Sequence, residues 1–140
     1  MGLDMYARTV KNEDILPPPD GTELSDVNFM IAPDSEGYAK AEEIQYWRKF
    51  NNLHGWFERL YREKGGTEEF NCTPVILTEA DLARLENDAK NRSNLDPTEG
   101  FFFGSANPLD DESAEEILDF VAKARRYIAD GYTVIYDSWW

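Results

Sequence analysis

Trp47, Arg48, Asn51 and His54 are the residues of this chain whose types and spacing could do chemistry. Read on a helix, positions 47, 51 and 54 stack along one face, with Arg48 at its margin. An indole, a guanidinium, an amide and an imidazole so arranged can hold a small anion or a nucleotide by stacking and hydrogen bonding. The structural alternative is a face packed on a sheet, with Arg48 and Lys49 paired to nearby acids, as amphipathic stripes commonly are. His54 is the single histidine, and so the one side chain whose ordinary pKa suits a general base near neutrality. No nucleophile accompanies it: G-x-S-x-G is absent, and Cys72 lies beside an expected strand without an activating neighbour. The set describes binding rather than turnover, and no catalytic residue is assigned.

The densest acidic run is Asp110, Asp111 and Glu112 with Glu115 and Glu116. It lacks the alternating ligands and central glycine of a calcium loop. A lone cysteine likewise supplies no zinc spacing, so no metal and no cofactor is expected. Gly65-Gly66, Gly100 and Gly104 lack the spacing of a phosphate-cradling loop. Acids at a helix start complement the helix dipole, and they could equally meet a basic partner. Trp139 and Trp140 either dock on the body of the protein or serve a partner as anchors.

Bulk charge favours a protein partner. The 140 residues carry 28 acids and 14 Lys or Arg, a net charge of −14. Such a surface repels nucleic acid and anionic lipid and attracts proteins with basic grooves. The charge is uneven: residues 44–64 carry a net +3, whereas residues 1–43 carry −7. The segment holding Trp47 to His54 is a basic island in an acidic chain. No apolar run approaches the roughly 20 residues of a membrane span. The start, Met1-Gly2-Leu3-Asp4, has neither a basic region nor an apolar run, so cytoplasmic location is expected.

The elements that must position these residues follow from periodicity. Residues 3–10 alternate as a strand. Residues 11–41 read as a long loop insertion, broken by Pro17-Pro18-Pro19, with Val27 to Ile31 as a short edge strand. Tyr46, Phe50, Leu53, Phe57 and Leu60 make one apolar stripe, which predicts a helix over about 41–64, stopped by Gly65-Gly66. A strand is expected over 73–77. Thr78 to Asp81 then reads as a capping box, opening a helix to about Asn91. Phe101-Phe102-Phe103 reads as a buried strand. Ser113 and Glu116 read as the capping box of a third helix, which Gly131 ends before a last strand over 132–137. The expectation is a single α+β domain, residues 1–140, with about four short strands packed against three helices in a mixed sheet.

Four segments together carry a resemblance: Met1-Gly2-Leu3-Asp4-Met5-Tyr6; Glu43 to Lys49 continuing to Asn51, His54, Trp56 and Phe57; Gly100 to Ser105; and Tyr136 to Trp140. In this combination the chain resembles a family of uncharacterised phage and prophage proteins. In that family the first strand runs on quickly to the first helix, so residues 11–41 stand as an enlargement. The resemblance implies a small phage-encoded accessory protein of the host cytoplasm and no known reaction. Phage origin and net charge together lead to a non-enzymatic inhibitor of a host protein with a basic surface, such as a counter-defence factor that mimics DNA. The alternative is a protein that sequesters a small anionic ligand or nucleotide through Trp47, Arg48, Asn51 and His54.

Overall fold

The computed structural model describes residues 2–96 and 108–140. Its main body is a four-stranded sheet in the order β4-β1-β6-β5, made of β4 (Glu42–Arg48), β1 (Asp4–Lys11), β6 (Tyr132–Trp139) and β5 (Val75–Leu77). The sheet anticipated as mixed runs antiparallel at each of its three pairings. β1 is central because both its edges are filled: Asp4 faces Arg48 on one side and Trp139 on the other. Its alternation sends Met5, Ala7 and Thr9 inward, all buried, while Asp4, Tyr6 and Arg8 face out.

Three helices cover the inward side: α1 (Asn51–Glu63), α2 (Glu79–Asn91) and α3 (Asp111–Ala129). Leu53, Phe57 and Leu60 of α1, Leu82 and Leu85 of α2, and Ile117, Phe120 and Val121 of α3 join Val134 and Tyr136 in one core. Large rings dominate it. Phe57 stacks on Tyr136 at 4.0 Å between centroids, and Trp47 meets Phe120 edge-on at 4.9 Å. Among the described residues, a main sheet of four strands packed against three helices is the α+β architecture that the sequence pattern implied.

The largest correction concerns residues 41–50. They do not continue the first helix toward its N-terminus; they form β4, and the helix starts only at Asn51. Tyr46 fits the helical spacing, yet its side chain is an exposed one on the strand. Two facts favour the strand. Ile44, Tyr46 and Trp47 are β-formers, and the free edge of β1 needs a partner for its backbone amides and carbonyls, which a helix cannot supply. Four sheet strands are thus reached with β4, whereas the strand expected at Phe101–Phe103 lies outside the described residues.

Local signals elsewhere hold with one change. Thr78 Oγ1 accepts from the Asp81 amide at 3.2 Å, and Asp81 Oδ2 accepts from the Thr78 amide at 2.8 Å, completing the expected box. Gly65 takes φ +97° after α1, a left-handed value that suits glycine. At α3 the cap is Asp110, not Ser113: Asp110 Oδ1 accepts from the Ser113 amide at 2.7 Å. Because the helix begins at Asp111, Ser113 is already inside its first turn.

The 11–41 insertion is built on β2 (Ile15–Leu16) paired with β3 (Met30–Ile31). It is tied to the body by Lys64, whose Nζ donates to Asp26 Oδ2 at 2.9 Å, to the Ile76 carbonyl at 2.7 Å and to the Asp81 carboxylate. The Asp26 carbonyl accepts from the Ile76 amide at 2.9 Å.

Candidate ligand-binding cleft

The junction between β4 and α1 places the basic island. Strand alternation turns Trp47 inward, at 3% exposure, and leaves Arg48 outward. The chain then reverses at Lys49, whose φ of +56° is a left-handed value on a non-glycine residue. Two backbone bonds fix that turn: the Lys49 amide donates to the Leu3 carbonyl at 2.8 Å, and the Asn51 amide to the Lys49 carbonyl at 3.0 Å. Gly2 allows the basic side chains to lie close. A Cβ there would stand 3.0 Å from Lys49 Cε and 3.2 Å from Arg48 Nη2. Arg48 Nε also lies 4.0 Å from Asp4 Oδ1, which accepts from the Tyr46 hydroxyl at 2.5 Å.

An open cleft of about 400 Å³ runs between this turn and the start of α3. Trp47, Arg48, Lys49 and Asn51 line one wall; Asp110, Ser113 and Glu116 line the other. The wall of α1 is its N-terminus. Phe50 at the cap position offers no side-chain acceptor, and no acid stands in the first turn. The positive end of the helix dipole therefore meets no cap side chain and no first-turn acid of its own helix. Two buried polar atoms share the condition. Trp47 Nε1 and Asn51 Oδ1 have no hydrogen-bond partner among the described residues. Leaving such a group unpaired inside a protein costs about 1–3 kcal/mol, so each calls for an explanation.

The opposite wall is acidic and internally graded. Hydrogen bonding to the Ser113 amide holds the Asp110 carboxyl below its usual range, so Asp110 stays ionised. Desolvation, then repulsion from Glu112, raises Glu116 above the ordinary carboxylate value. The cleft thus has cations beside the amide of Asn51 on one side and carboxylates on the other.

The structure brings three of the four expected ligand residues, Trp47, Arg48 and Asn51, to this cleft and places the fourth elsewhere. His54 is fully buried in the core. Its Nδ1 lies 2.7 Å from the Tyr136 hydroxyl, and its ring packs 5.2 Å from that of Phe70. Burial lowers its pKa from 6.5 to about 4. The split follows from the strand at 42–48: Trp47 and His54 do not share a helix face.

The acidic run also divides. Asp110 and Glu116 line the cleft, Asp111 accepts from Arg92 Nη2 at 2.5 Å, and Glu112 and Glu115 are exposed on α3. The terminal indoles behave differently from each other. Trp140 is docked, its Nε1 donating to the Phe70 carbonyl at 2.9 Å and its backbone held by Asn71. Trp139 stays 63% exposed. Lys49 lines the cleft and Gly2 backs Arg48 beside it, and neither was a sequence candidate; the adjacency of Lys49 to Arg48 was the available signal, whereas the contact of Gly2 is purely tertiary. Among the described residues no cluster of His, Cys, Asp or Glu is placed to hold a metal, and no helix is long and apolar enough to cross a membrane. Cys72 is free and exposed.

No family model matches this chain, no curated protein is similar to it, and no solved structure matches its fold.

Proposed function

We propose that this protein is a non-catalytic binding protein that takes a small anionic ligand in the cleft between the β4–α1 turn and the start of α3. One observation carries the reading: the wall at the β4–α1 turn presents Arg48, Lys49 and a helix N-terminus without a side-chain cap, and it includes Trp47, whose buried Nε1 donor stands unpartnered among the described residues. Backbone amides at a helix start are a ready anion site. An indole N–H adds a further donor. The net charge of −14 opposes any anion at long range. At physiological salt, though, charges beyond about 8 Å are largely screened, so the nearby Arg48 and Lys49 outweigh distant acids. Asp110 and Glu116 accept hydrogen bonds from a ligand that bears hydroxyl or amino groups, and disfavour a bare anion.

The test is titration with inorganic phosphate, with sulfate and with glycerol 3-phosphate, whose hydroxyls can donate to Asp110 and Glu116, followed by amide NMR. Saturable shifts are expected at Asn51, Asn52 and Leu53, lost in Arg48→Ala, a change at a mostly exposed side chain that leaves the core intact. Titrations without shifts at those amides would overturn the reading.

A second reading rests on a different observation, the exposure of Trp139 together with that of Glu112 and Glu115. An exposed indole on a chain that also exposes carboxylates suits a partner with a basic surface, and the resemblance to phage proteins makes a host nucleic-acid-binding protein the natural class. On that reading the protein is a counter-defence inhibitor acting in the host cytoplasm. Pull-down from host lysate at low salt tests it: recovery of such a protein, lost in Trp139→Ala, supports it, and recovery of none removes it.

A further inference from the structure

A second pocket, of about 250 Å³, lies between Gly2, Asp4, Arg48, Trp139 and Trp140. Arg48 lines both this pocket and the 400 Å³ cleft, and it is the one residue they share. The guanidinium is backed by Gly2 and lies 4.0 Å from Asp4. The two spaces differ in chemistry. The cleft offers donors, cations and the acceptors Asp110 and Glu116; the smaller pocket offers aromatic surface, with Trp139 63% exposed and Trp140 fixed through Phe70 and Asn71.

A ligand that passed Arg48 to reach both spaces would have its anion in the middle. On one side of that anion it carries a planar ring, for which an exposed indole is a stacking platform. On the other it carries a group with hydrogen-bond donors, which Asp110 and Glu116 accept. A mononucleotide does not have this order, because its phosphate is at one end. A phosphodiester between two nucleosides does. Extending the reading of the cleft as an anion site, on which it rests, we infer that Arg48 receives the phosphodiester of a dinucleotide whose one base stacks on Trp139 and whose other nucleoside enters the cleft beside Asp110 and Glu116. Linear and cyclic dinucleotides share that chemistry.

Four probes separate the possibilities: inorganic phosphate, a nucleoside 5′-monophosphate, a linear diribonucleoside monophosphate and a 3′,5′-cyclic diribonucleotide. Binding is read by calorimetry and by quenching of indole fluorescence. The expected result is that at least one dinucleotide binds about tenfold or more tightly than the mononucleotide, the gain expected of one stacked base. The tighter of the two identifies the source. In Trp139→Ala the dinucleotide affinity falls to the mononucleotide level and most of the quenching disappears; in Arg48→Ala every probe weakens. Equal affinity for dinucleotide and mononucleotide, or an unaltered dinucleotide affinity in Trp139→Ala, overturns this inference and leaves the anion site standing. Failure of all four probes to bind removes both.

Discussion

His54 Nδ1 and the Tyr136 hydroxyl meet at 2.7 Å across the junction of α1 with β6, inside a core that gives neither side chain to solvent. The imidazole is therefore folded in its neutral form, with its pKa lowered by burial from 6.5 to about 4. In the unfolded chain it takes up a proton near pH 6.5; in the folded chain it resists until about pH 4. Stability is thus complete above pH 6.5, falls as the pH drops through that interval, and levels off below it. The pKa difference corresponds to a loss of about 3 kcal/mol. Urea unfolding at pH 7 and at pH 4.5 should show a drop in the wild type that is largely absent in His54→Gln, whose amide carries no titrating charge.

Lys64 should matter more to stability than a surface lysine. Its ammonium is mostly buried and donates to Asp26, Asp81 and the Ile76 carbonyl, so it joins the insertion, the α2 cap and β5. Lys64→Met leaves two carboxylates facing each other without their cation. Because Asp26 is partly exposed, the cost falls below the roughly 3–5 kcal/mol of a fully buried pair, at about 2 kcal/mol, read as a shift in the urea midpoint. Hydrogen exchange of the Ile76 amide should accelerate at the same time, since its acceptor is the carbonyl of Asp26.

Glu116 sets the pH dependence of anion binding. Its carboxyl already titrates above the ordinary value, and it faces the space shared by Arg48, Lys49 and Asp110, with Glu112 one turn away. An anion in the cleft is opposed by the charged form and accepted by the neutral one. Affinity for sulfate, whose own charge is constant here, should rise as the pH falls from neutrality toward the titration of Glu116. Glu116→Gln should bind sulfate about fivefold more tightly at pH 7, from removal of one nearby like charge, and should show a flatter pH profile. Isothermal titration at several pH values checks both.

Trp47→Phe separates binding from folding. The substitution removes the unpartnered indole N–H, a relief of about 1–3 kcal/mol, and loses ring volume against Phe57 and Phe120, a cost of similar size. Net stability should change by about 1 kcal/mol or less, measured by urea denaturation, while phosphate or sulfate binding weakens severalfold. Unaltered phosphate and sulfate affinity in Trp47→Phe would make Trp47 a packing residue only.

Much of the fold was legible because its signals are local. Alternation marked β1, Gly131 marked the start of β6, the Thr78–Asp81 box marked α2, and Gly65 marked the end of α1. The stretch from Glu42 to Arg48 was not legible, since Tyr46 and Phe50 sit at a helical spacing and only the unpaired edge of β1 decides the matter. That one element also governs the site. Trp47, Arg48 and Asn51 were identifiable by residue type, but His54 belonged with them only if the chain was helical through position 47. The cap at Asp110 was obscured by the Ser113–Glu116 pattern three residues further on, which satisfies the same rule in the wrong place. The role of Gly2 beside Arg48 leaves no trace in a linear reading, because it arises from two segments brought together by sheet register.

The anchoring of the insertion at Ile76 has a bearing on self-association. β5 is a short outer strand, and outer strands invite another chain to pair with them. Ile76 offers its amide to Asp26 and its carbonyl to Lys64, so the two groups a stranger would grasp are already engaged. At the opposite margin Lys123 reaches the Ile44 carbonyl of β4 and does the same with a single charged side chain. Trimming residues 17–31 to a tight turn would strip the first of these guards, and the shortened protein should form β-rich aggregates at concentrations where the intact one stays dispersed.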